Sequence, residues 1–345
     1  MFIIYKKIVT KVKKMINPKD VSIVVQGGIN KTLTPICLES IRKILPGAQI
    51  VLSTWAGSDV DNLDYDILVL NDDPGAEIVD SVNNRLNNVN RQIVSTKNGI
   101  LKSTGKYVLK VRSDIKLTGT GFIKIFDKYP KRSDINKIFK HRIIINNFYS
   151  ANPRKTDFLY HMSDWVSFGL KEDMLDLWDI PLQDTDEQLF YKTHKRPSDF
   201  PNNNWYMKFI PEQYIMMSWL KKNGVNINIE HCGDKNDIDL NTSESSFANN
   251  FIIMNYEAFG IKFMKFNPYK HSKEVQYSYN DWQNLYKKYC DNNFVVYPDY
   301  REKINRHINN FIKPIKKFIR WIFEPLSIIF YTYKILYDII RNKTY

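Results

Sequence analysis

The chain reads as an α/β protein with a parallel, nucleotide-binding type of sheet, and three observations predict it. Residues 21–25 (VSIVV), 49–53 (QIVLS) and 66–70 (DILVL) are compact runs of Val, Ile and Leu, the mark of buried strands. One helix-length segment lies between the first two, the connection that parallel neighbours need. Residues 106–114 (KYVLKVRSD) follow Gly105 as a fourth apolar run and stop abruptly in Arg112, Ser113 and Asp114. Ligands of open α/β sheets bind beyond the carboxyl ends of the strands, so this polar terminus is expected to face a site.

In an extended segment the period of two puts Lys110, Arg112 and Asp114 on one face. Two cations and a carboxylate at a strand end suit a diphosphate, with the carboxylate holding a sugar hydroxyl or a divalent metal. A surface Arg112–Asp114 salt bridge is the competing reading of the same residues.

The first strand runs into Gln26-Gly27-Gly28, where two glycines let backbone approach a ligand closely. The pattern is not GxGxxG, so a dinucleotide site is poorly supported. Thr34 as N-cap and Pro35 in the first turn predict a helix over 35–45, stopped by Pro46-Gly47. The second strand ends in Thr54-Trp55 and the third in residues 71–75 (NDDPG). A helical run over 87–103 turns Val89 and Ile93 to the sheet and groups Arg91, Ser95 and Asn98 on another face. Arg91 gains a role only if that face points into the crevice of Arg112.

Further along, 122–129 reads as a helix, 139–145 as a strand and 149–163 as loop. Residues 164–169 (DWVSFG) return as a strand, and 171–178 form a short amphipathic helix. The polar, proline-containing stretch 179–210 reads as a lid or binding loop, or as a simply mobile segment. Pro211-Glu212-Gln213 opens a helix over 212–222 that Gly224 ends, and 225–230 (VNINIE) alternates as a strand running into His231.

A chain of 345 residues with 43% hydrophobic content can bury a sizeable core. Its formal charge of +13 is concentrated at the ends. Residues 1–20 carry six Lys against Asp20, a net +5, and 301–345 carry ten Lys and Arg against three acids, a net +7, which leaves +1 for 21–300. A near-neutral body with basic ends fits an anionic membrane surface better than a nucleic-acid groove, so no nucleic-acid partner is expected. Biased composition alone is the bland alternative. Cys37, Cys232 and Cys290 form no CxxC pair and no disulfide framework, which suggests a reducing cytoplasm. The opening residues are short apolar runs broken by Lys, and do not read as a signal peptide.

The blocks VVQG (24–27), 34–57 (TPICLESIRKILPGAQIVLSTWAG), NDDPG (71–75), NVNRQIVST (88–96) and YVLKVRSD (107–114) resemble the WavE-like lipopolysaccharide-synthesis family. DWVSFG (164–169) and PEQY (211–214) extend the likeness, which covers about residues 20–300 and rests on the order of the blocks. The resemblance implies a GT-A-like nucleotide-sugar-binding (Rossmann-like) mixed sheet flanked by helices, with a C-terminal helical tail. It implies a bacterial glycosyltransferase that uses a nucleotide-sugar donor and a lipid-linked precursor of lipopolysaccharide, lipooligosaccharide or capsule. A non-catalytic binding or assembly protein of the same pathway is the alternative, and the departure at Arg112 is its best support.

On this resemblance Gln26, Gly27, Ser53, Thr54 and Trp55 would line the nucleoside pocket and Asp73 would meet the base or ribose. Arg91, Lys110 and Arg112 would balance the diphosphate. Asp114 stands at the last carboxylate of the DxD motif of GT-A enzymes, but Arg112 stands where its first Asp would be, so a two-carboxylate site for Mn²⁺ or Mg²⁺ is in doubt. Asp114 and His231 are the candidate metal ligands, though a lone His is more often structural. Glu212, followed by Asp164, is the candidate base for deprotonating the acceptor, although acids at helix starts are favoured by the helix dipole in any case.

The expected organisation is a basic N-terminal segment (1–19), a GT-A-like catalytic domain (20–232), a C-terminal elaboration of it (233–300) and a basic amphipathic helical tail (301–345). The tail repeats apolar residues at Phe311, Ile315, Phe318 and Ile322 with Lys313, Lys316, Lys317 and Arg320 elsewhere. Its uncharged runs are far below the roughly 20 residues that span a bilayer. It reads as an interfacial helix, or equally as one packed on its own core or a partner. The expected location is the cytoplasmic face of the inner membrane.

Overall fold

In the computed structural model the described residues are 16–266, 268 and 275–297. The chain divides into two compact units, Met1–Val295 and Val296–Tyr345. Every described strand and helix belongs to the first unit. Residues 1–15 of the basic N-terminal segment, and the expected amphipathic tail over 301–345, lie outside the described residues.

The first strand, β1 (Val21–Gln26), is buried at every position, so its apolar run serves both faces of a sheet. Helix α1 (Leu33–Ile44) crosses over to β2 (Gln49–Trp55), and β3 (Ile67–Asn71) follows. A small hairpin, β4 (Glu77–Ile78) and β5 (Leu86–Asn87), precedes α2 (Val89–Lys102). The chain then enters β6 (Tyr107–Arg112) and β7 (Ile115–Leu117), passes the single turn α3 (Gly121–Ile125), and forms β8 (Ile143–Asn146), β9 (Val166–Leu170) and α4 (Lys171–Trp178). Two short turns, α5 (Thr185–Gln188) and α6 (Phe190–Thr193), lie in the polar stretch before α7 (Pro211–Lys222). Helix α8 (Asp237–Asn250), β10 (Phe251–Met254), α9 (Tyr256–Phe259), β11 (Ile261–Phe263) and α10 (Tyr279–Tyr289) complete the unit.

Seven strands form one sheet in the order β10-β8-β9-β6-β1-β2-β3. Only β9 runs against its neighbours; the other pairings are parallel. The expected class is therefore what is found, a mixed, mainly parallel α/β sheet flanked by helices. Strand β1 pairs with β2 on one side and β6 on the other, and Gln26 is level with both Ser53 and Arg112. The connection from β1 leaves toward β2, and the chain returns from β3 to the opposite side of β1. Such a reversal of strand order opens a crevice beyond the carboxyl ends of the strands. Strand β9 starts at that same edge, because Val166 pairs with Val111, so Asp164 and Trp165 lie beside the end of β6.

Several expectations are corrected. Helix α1 begins at Leu33, not Pro35, because the Asn30 side chain accepts from the Thr32 and Leu33 amides at 3.0 and 2.9 Å. Thr34 is fully buried inside the helix, where its hydroxyl accepts from the Asn30 amide. Residues 225–230 form no strand; the Asn228 amide donates to the Asp239 carboxylate of α8 instead of to a neighbouring strand. The strand over 139–145 shortens to β8, since Phe139 turns aside to stack on Trp219 of α7 at 4.3 Å. Among the described residues no helix is long and apolar enough to cross a membrane.

Helix α2 lies close over the sheet because Gly99 faces Val24 and Ser53: a Cβ at Gly99 would collide with Val24 Cγ1. Alanine there would gain about 1 kcal/mol in helix propensity, but overpacking costs about 1–3 kcal/mol, so the clash wins. Gly99→Ala is expected to lower the midpoint of chemical unfolding; an unchanged or raised midpoint would refute this packing account.

Candidate functional site

The crevice at the switch point contains a cavity of about 370 Å³, within the roughly 300–1,000 Å³ range of ligand pockets. Gln26, Gly27 and Gly28 from the end of β1, Trp55 from β2, and Arg112, Ser113 and Asp114 from the end of β6 line it. Helix α2 adds Arg91 and Gln92, and its N-cap Asn88 joins them. Ile29, Asn30, Leu33 and the distant Lys265 close the remaining wall. Gly27 takes φ +111°, a backbone shape that side-chain-bearing residues rarely adopt. The two strand ends are tied together directly: the Ser113 amide donates to Gln26 O at 3.1 Å and its hydroxyl to Gly28 O at 2.7 Å.

Each arginine of the cavity is held by a carboxylate in a two-point fork. Arg112 Nε and Nη2 donate to the two oxygens of Asp114 at 3.0 and 2.8 Å. Its guanidinium also lies 4.0 Å from the centre of the Trp165 ring, a stacked cation position. Arg91 Nε and Nη2 donate to the two oxygens of Asp73, both at 2.7 Å, and Nη1 to Asn88 Oδ1 at 3.0 Å. The Arg91 fork lowers the Asp73 carboxyl below its usual range and raises the guanidinium of Arg91. The condition set for Arg91 is thus met, since its face of α2 opens into the cavity of Arg112.

Other expected donor-site residues lie beneath the cavity. Ser53 and Thr54 are fully buried and do not line it; the Ser53 hydroxyl donates to Ser95 O at 2.7 Å, and Thr54 bonds Ser58. Asp73 stands behind Arg91. Lys110 is corrected most clearly. The period of two does aim it at the same side as Arg112, but it is one residue pair deeper and fully buried. Its Nζ donates to the main-chain oxygen of Asp164, lies 3.5 Å from Gln92 Oε1 and 4.7 Å from the centre of the Trp178 ring. Burial pulls its ammonium down to about 7, against the opposing pull of Asp164.

Behind Arg112 lies a second group of buried polar residues. Asp164 Oδ2 accepts from Gln92 Nε2, so a cavity-lining residue reaches this carboxylate. Glu212, in the first turn of α7, is nearly fully buried. Burial first, and the charge of Asp164 second, push its carboxyl up to about 8, while Arg85 and Arg112 draw it down. Tyr149 stacks on Trp165, with ring centres 5.9 Å apart, and burial and Glu212 raise its phenol. The two candidate bases are therefore brought together, on the far side of Arg112 from Gly27 and Trp55. His231 goes elsewhere: its Nδ1 accepts from the Gly233 amide, its Nε2 is 3.5 Å from Asp199, and its ring lies against Phe200.

Sequence reasoning missed Asn30, Asn88, Gln92 and Lys265 at the cavity. Gln92 was readable in principle, one residue from Arg91 on a helix already assigned; Lys265 carries no local signal.

These features define an α/β protein with a cation-lined cavity at a topological switch point. The chain belongs to the WavE lipopolysaccharide synthesis family, whose profile matches residues 21–319. No functionally curated protein matches it by sequence. Among solved structures it is similar to TarS of S. aureus, at 10% identity and TM-score 0.33, over 78% of this chain and 38% of that one. A 4-diphosphocytidyl-2C-methyl-D-erythritol synthase from Anaerococcus prevotii matches at 9% identity and TM-score 0.29, over 65% and 95% of the two chains. HddC from Yersinia pseudotuberculosis matches at 10% and 0.27, over 51% and 86%. At these scores the likenesses say nothing about the site.

The residues present do not fit a divalent metal. Among the described residues Asp114 is the one carboxylate lining the cavity, both its oxygens are engaged by Arg112, and Arg91 and Lys265 add further positive charge. Among the described residues no group of three or more His, Cys, Asp and Glu is placed to hold an ion.

A lowered lysine binds fewer protons folded than unfolded between about 7 and its ordinary 10.5, so its cost to stability is full below pH 7 and fades as pH rises. Lys110→Met is expected to shift the thermal midpoint more favourably at pH 6 than at pH 9. A shift that is equal at both pH values, or larger at pH 9, would show that Lys110 is not held near neutrality.

Proposed function

We propose that the protein transfers a sugar from a nucleotide-sugar donor to a hydroxyl of a lipopolysaccharide-type glycan precursor. Membership of a lipopolysaccharide synthesis family supplies the pathway. The observation that carries the chemistry is the convergence of the Gly27-Gly28 turn, Arg91 of α2 and Arg112 of β6 on one cavity. Glycine backbone admits a phosphate closely, and guanidinium forks match phosphate oxygens in pairs. The nucleoside would occupy the side of Gln26 and Trp55, with its diphosphate toward Arg91 and Arg112. The sugar would then extend past Arg112 toward Trp165, Asp164 and Glu212.

In the transfer the acceptor oxygen forms a bond to the anomeric carbon as that carbon's bond to the phosphate oxygen breaks. The electron pair leaves with the nucleoside diphosphate, where Arg91 and Arg112 meet the developing charge. The acceptor's proton passes to Glu212. A carboxylate raised to about 8 is a stronger base than an exposed one and still ionises near working pH. Asp164, fixed through Gln92 and Lys110, supplies the charge that helps to raise it.

The first test is nucleotide release from a panel of UDP-, GDP-, dTDP- and CMP-sugars in the presence of lipopolysaccharide precursors. Release from one donor is expected, with Glu212→Gln losing about 100-fold or more in transfer while keeping donor affinity. Transfer should climb with pH, pass half its maximum near 8 and level off above it. Absence of both release and calorimetric donor binding across the panel would favour the non-catalytic assembly reading instead.

A lipid-linked acceptor would bring the enzyme to the cytoplasmic face of the inner membrane, with its basic ends on anionic headgroups. The full chain is expected to co-sediment with phosphatidylglycerol vesicles at low salt, and replacing Lys313, Lys316, Lys317 and Arg320 by Gln should weaken this. Equal sedimentation of the replaced chain would remove the tail from the attachment.

A further inference from the structure

We propose, on the sugar-transfer reading above, that Arg91 and Arg112 neutralise the donor's diphosphate without a divalent cation, and that Asp73 and Asp114 are positioning residues for the two guanidinium planes. The two arginines come from different elements, α2 and β6, yet are built alike. Each presents Nε and Nη2 to both oxygens of one carboxylate, at 2.7 Å for Asp73 and at 3.0 and 2.8 Å for Asp114. A third contact fixes each plane: Asn88 Oδ1 accepts from Arg91 Nη1, and the Trp165 ring underlies Arg112. Asp73 is itself held, accepting from the Gly75 amide at 2.9 Å.

A guanidinium has five N–H donors. The contacts above occupy three on Arg91 and two on Arg112, so two and three are left for a ligand. Those are the donors that a pair of phosphates needs. A hard cation at a diphosphate draws most of its oxygens from water and the phosphates but still needs a carboxylate oxygen from the protein. Among the described residues the cavity wall offers one carboxylate, whose oxygens both already accept from Arg112. An ion at Asp114 would also sit against a guanidinium that Trp165 holds in place. Asp73 and Asp164 do not line the cavity; the first is forked by Arg91, and Oδ2 of the second accepts from Gln92.

The test uses the full chain and the donor found by the panel. Donor affinity by calorimetry and nucleotide release by turnover are measured after EDTA treatment, and again with added Mn²⁺ or Mg²⁺. Both are expected to agree within about twofold across these conditions. Arg112→Lys and Arg91→Lys keep the charge but lose the fork, and each is expected to weaken donor affinity about tenfold or more. Thermal midpoints near that of the natural chain certify their folding, and Arg91, being partly exposed, serves if Arg112→Lys is unstable. Asp114→Asn is expected to raise KM for the donor about tenfold, by the same factor with and without Mn²⁺. Release that EDTA abolishes and Mn²⁺ restores, or a metal response that Asp114→Asn removes, would overturn the inference while leaving sugar transfer intact. No donor binding or release under any condition would overturn the sugar-transfer reading, and this inference with it.

Discussion

The arrangement of the site depends on the double pairing of β1. Its main-chain groups are shared between β2 and β6, both parallel to it, and every one of its residues is buried. A strand so placed cannot shift register by one residue without turning its apolar set from one packed face to the other. The register that results makes Gln26, Ser53 and Arg112 level. Hence the chain must emerge from β1 and β6 side by side, with two glycines on one exit and an Arg-Ser-Asp sequence on the other. Ser113 then binds the two exits together. Helix α2 completes the crevice only because Gly99 lets it settle onto Val24, and that closeness brings Arg91 and Gln92 within reach.

Beneath the cavity the protein carries ionisable groups that its core does not solvate. Lys110 and Asp164 are both nearly free of solvent, yet each has a designated partner: the ammonium meets a main-chain oxygen, and the carboxylate meets Gln92. For Glu212 the loss of water and the repulsion of Asp164 outweigh a backbone hydrogen bond and the pull of Arg85 and Arg112, and its proton affinity rises accordingly. Buried charge of this kind costs stability unless it is paired. A buried acid whose proton affinity is raised beside a second carboxylate is a common sign of acid and base chemistry.

The crevice was readable from the sequence because its signals are local. The run VSIVV, the glycines after it and the abrupt polar end of KYVLKVRSD needed no knowledge of tertiary packing. The face of α2 followed from helical spacing. Depth was harder to read: alternation sets Lys110 and Arg112 on one side, but whether a side chain reaches a cavity or ends under it depends on what covers the sheet, here α4 with Trp178. The last third was opaque for a different reason. Helix α8 (DIDLNTSESSFANN) has no apolar stripe, yet Ser243, Ser246, Asn249 and Asn250 are fully buried. Asn249 and Asn250 are tolerated because they bond the loop at 133–139, through Ser133, Ile135, Asn136 and Ile138. Such a helix is stabilised by partners more than a hundred residues away, which no periodicity reveals. Residues 225–230 fail in the opposite direction, having the alternation of a strand but no sheet edge to join.

Arg112, like Gln92, belongs to both halves of the site. It lines the cavity, grips Asp114, stacks on Trp165 and lowers the proton affinity of Glu212. Under the sugar-transfer reading these contacts would give it opposite effects on the leaving group and on the base. While its charge is felt at Glu212, the carboxylate is easier to ionise and is a weaker base. A diphosphate that took up part of that charge would relax one of the smaller restraints on Glu212, whose proton affinity is raised first by burial and then by Asp164. Under the sugar-transfer reading, the cation that receives the leaving group thereby also ties the strength of the base to occupancy of the donor site. A lysine at position 112 would carry the same charge, but without the planar fork it would be held neither by Asp114 nor by the Trp165 ring in the same way. The departure from two carboxylates at this strand end then ceases to be a defect in a metal site. It places at the strand end a guanidinium that both lines the cavity and is felt at Glu212.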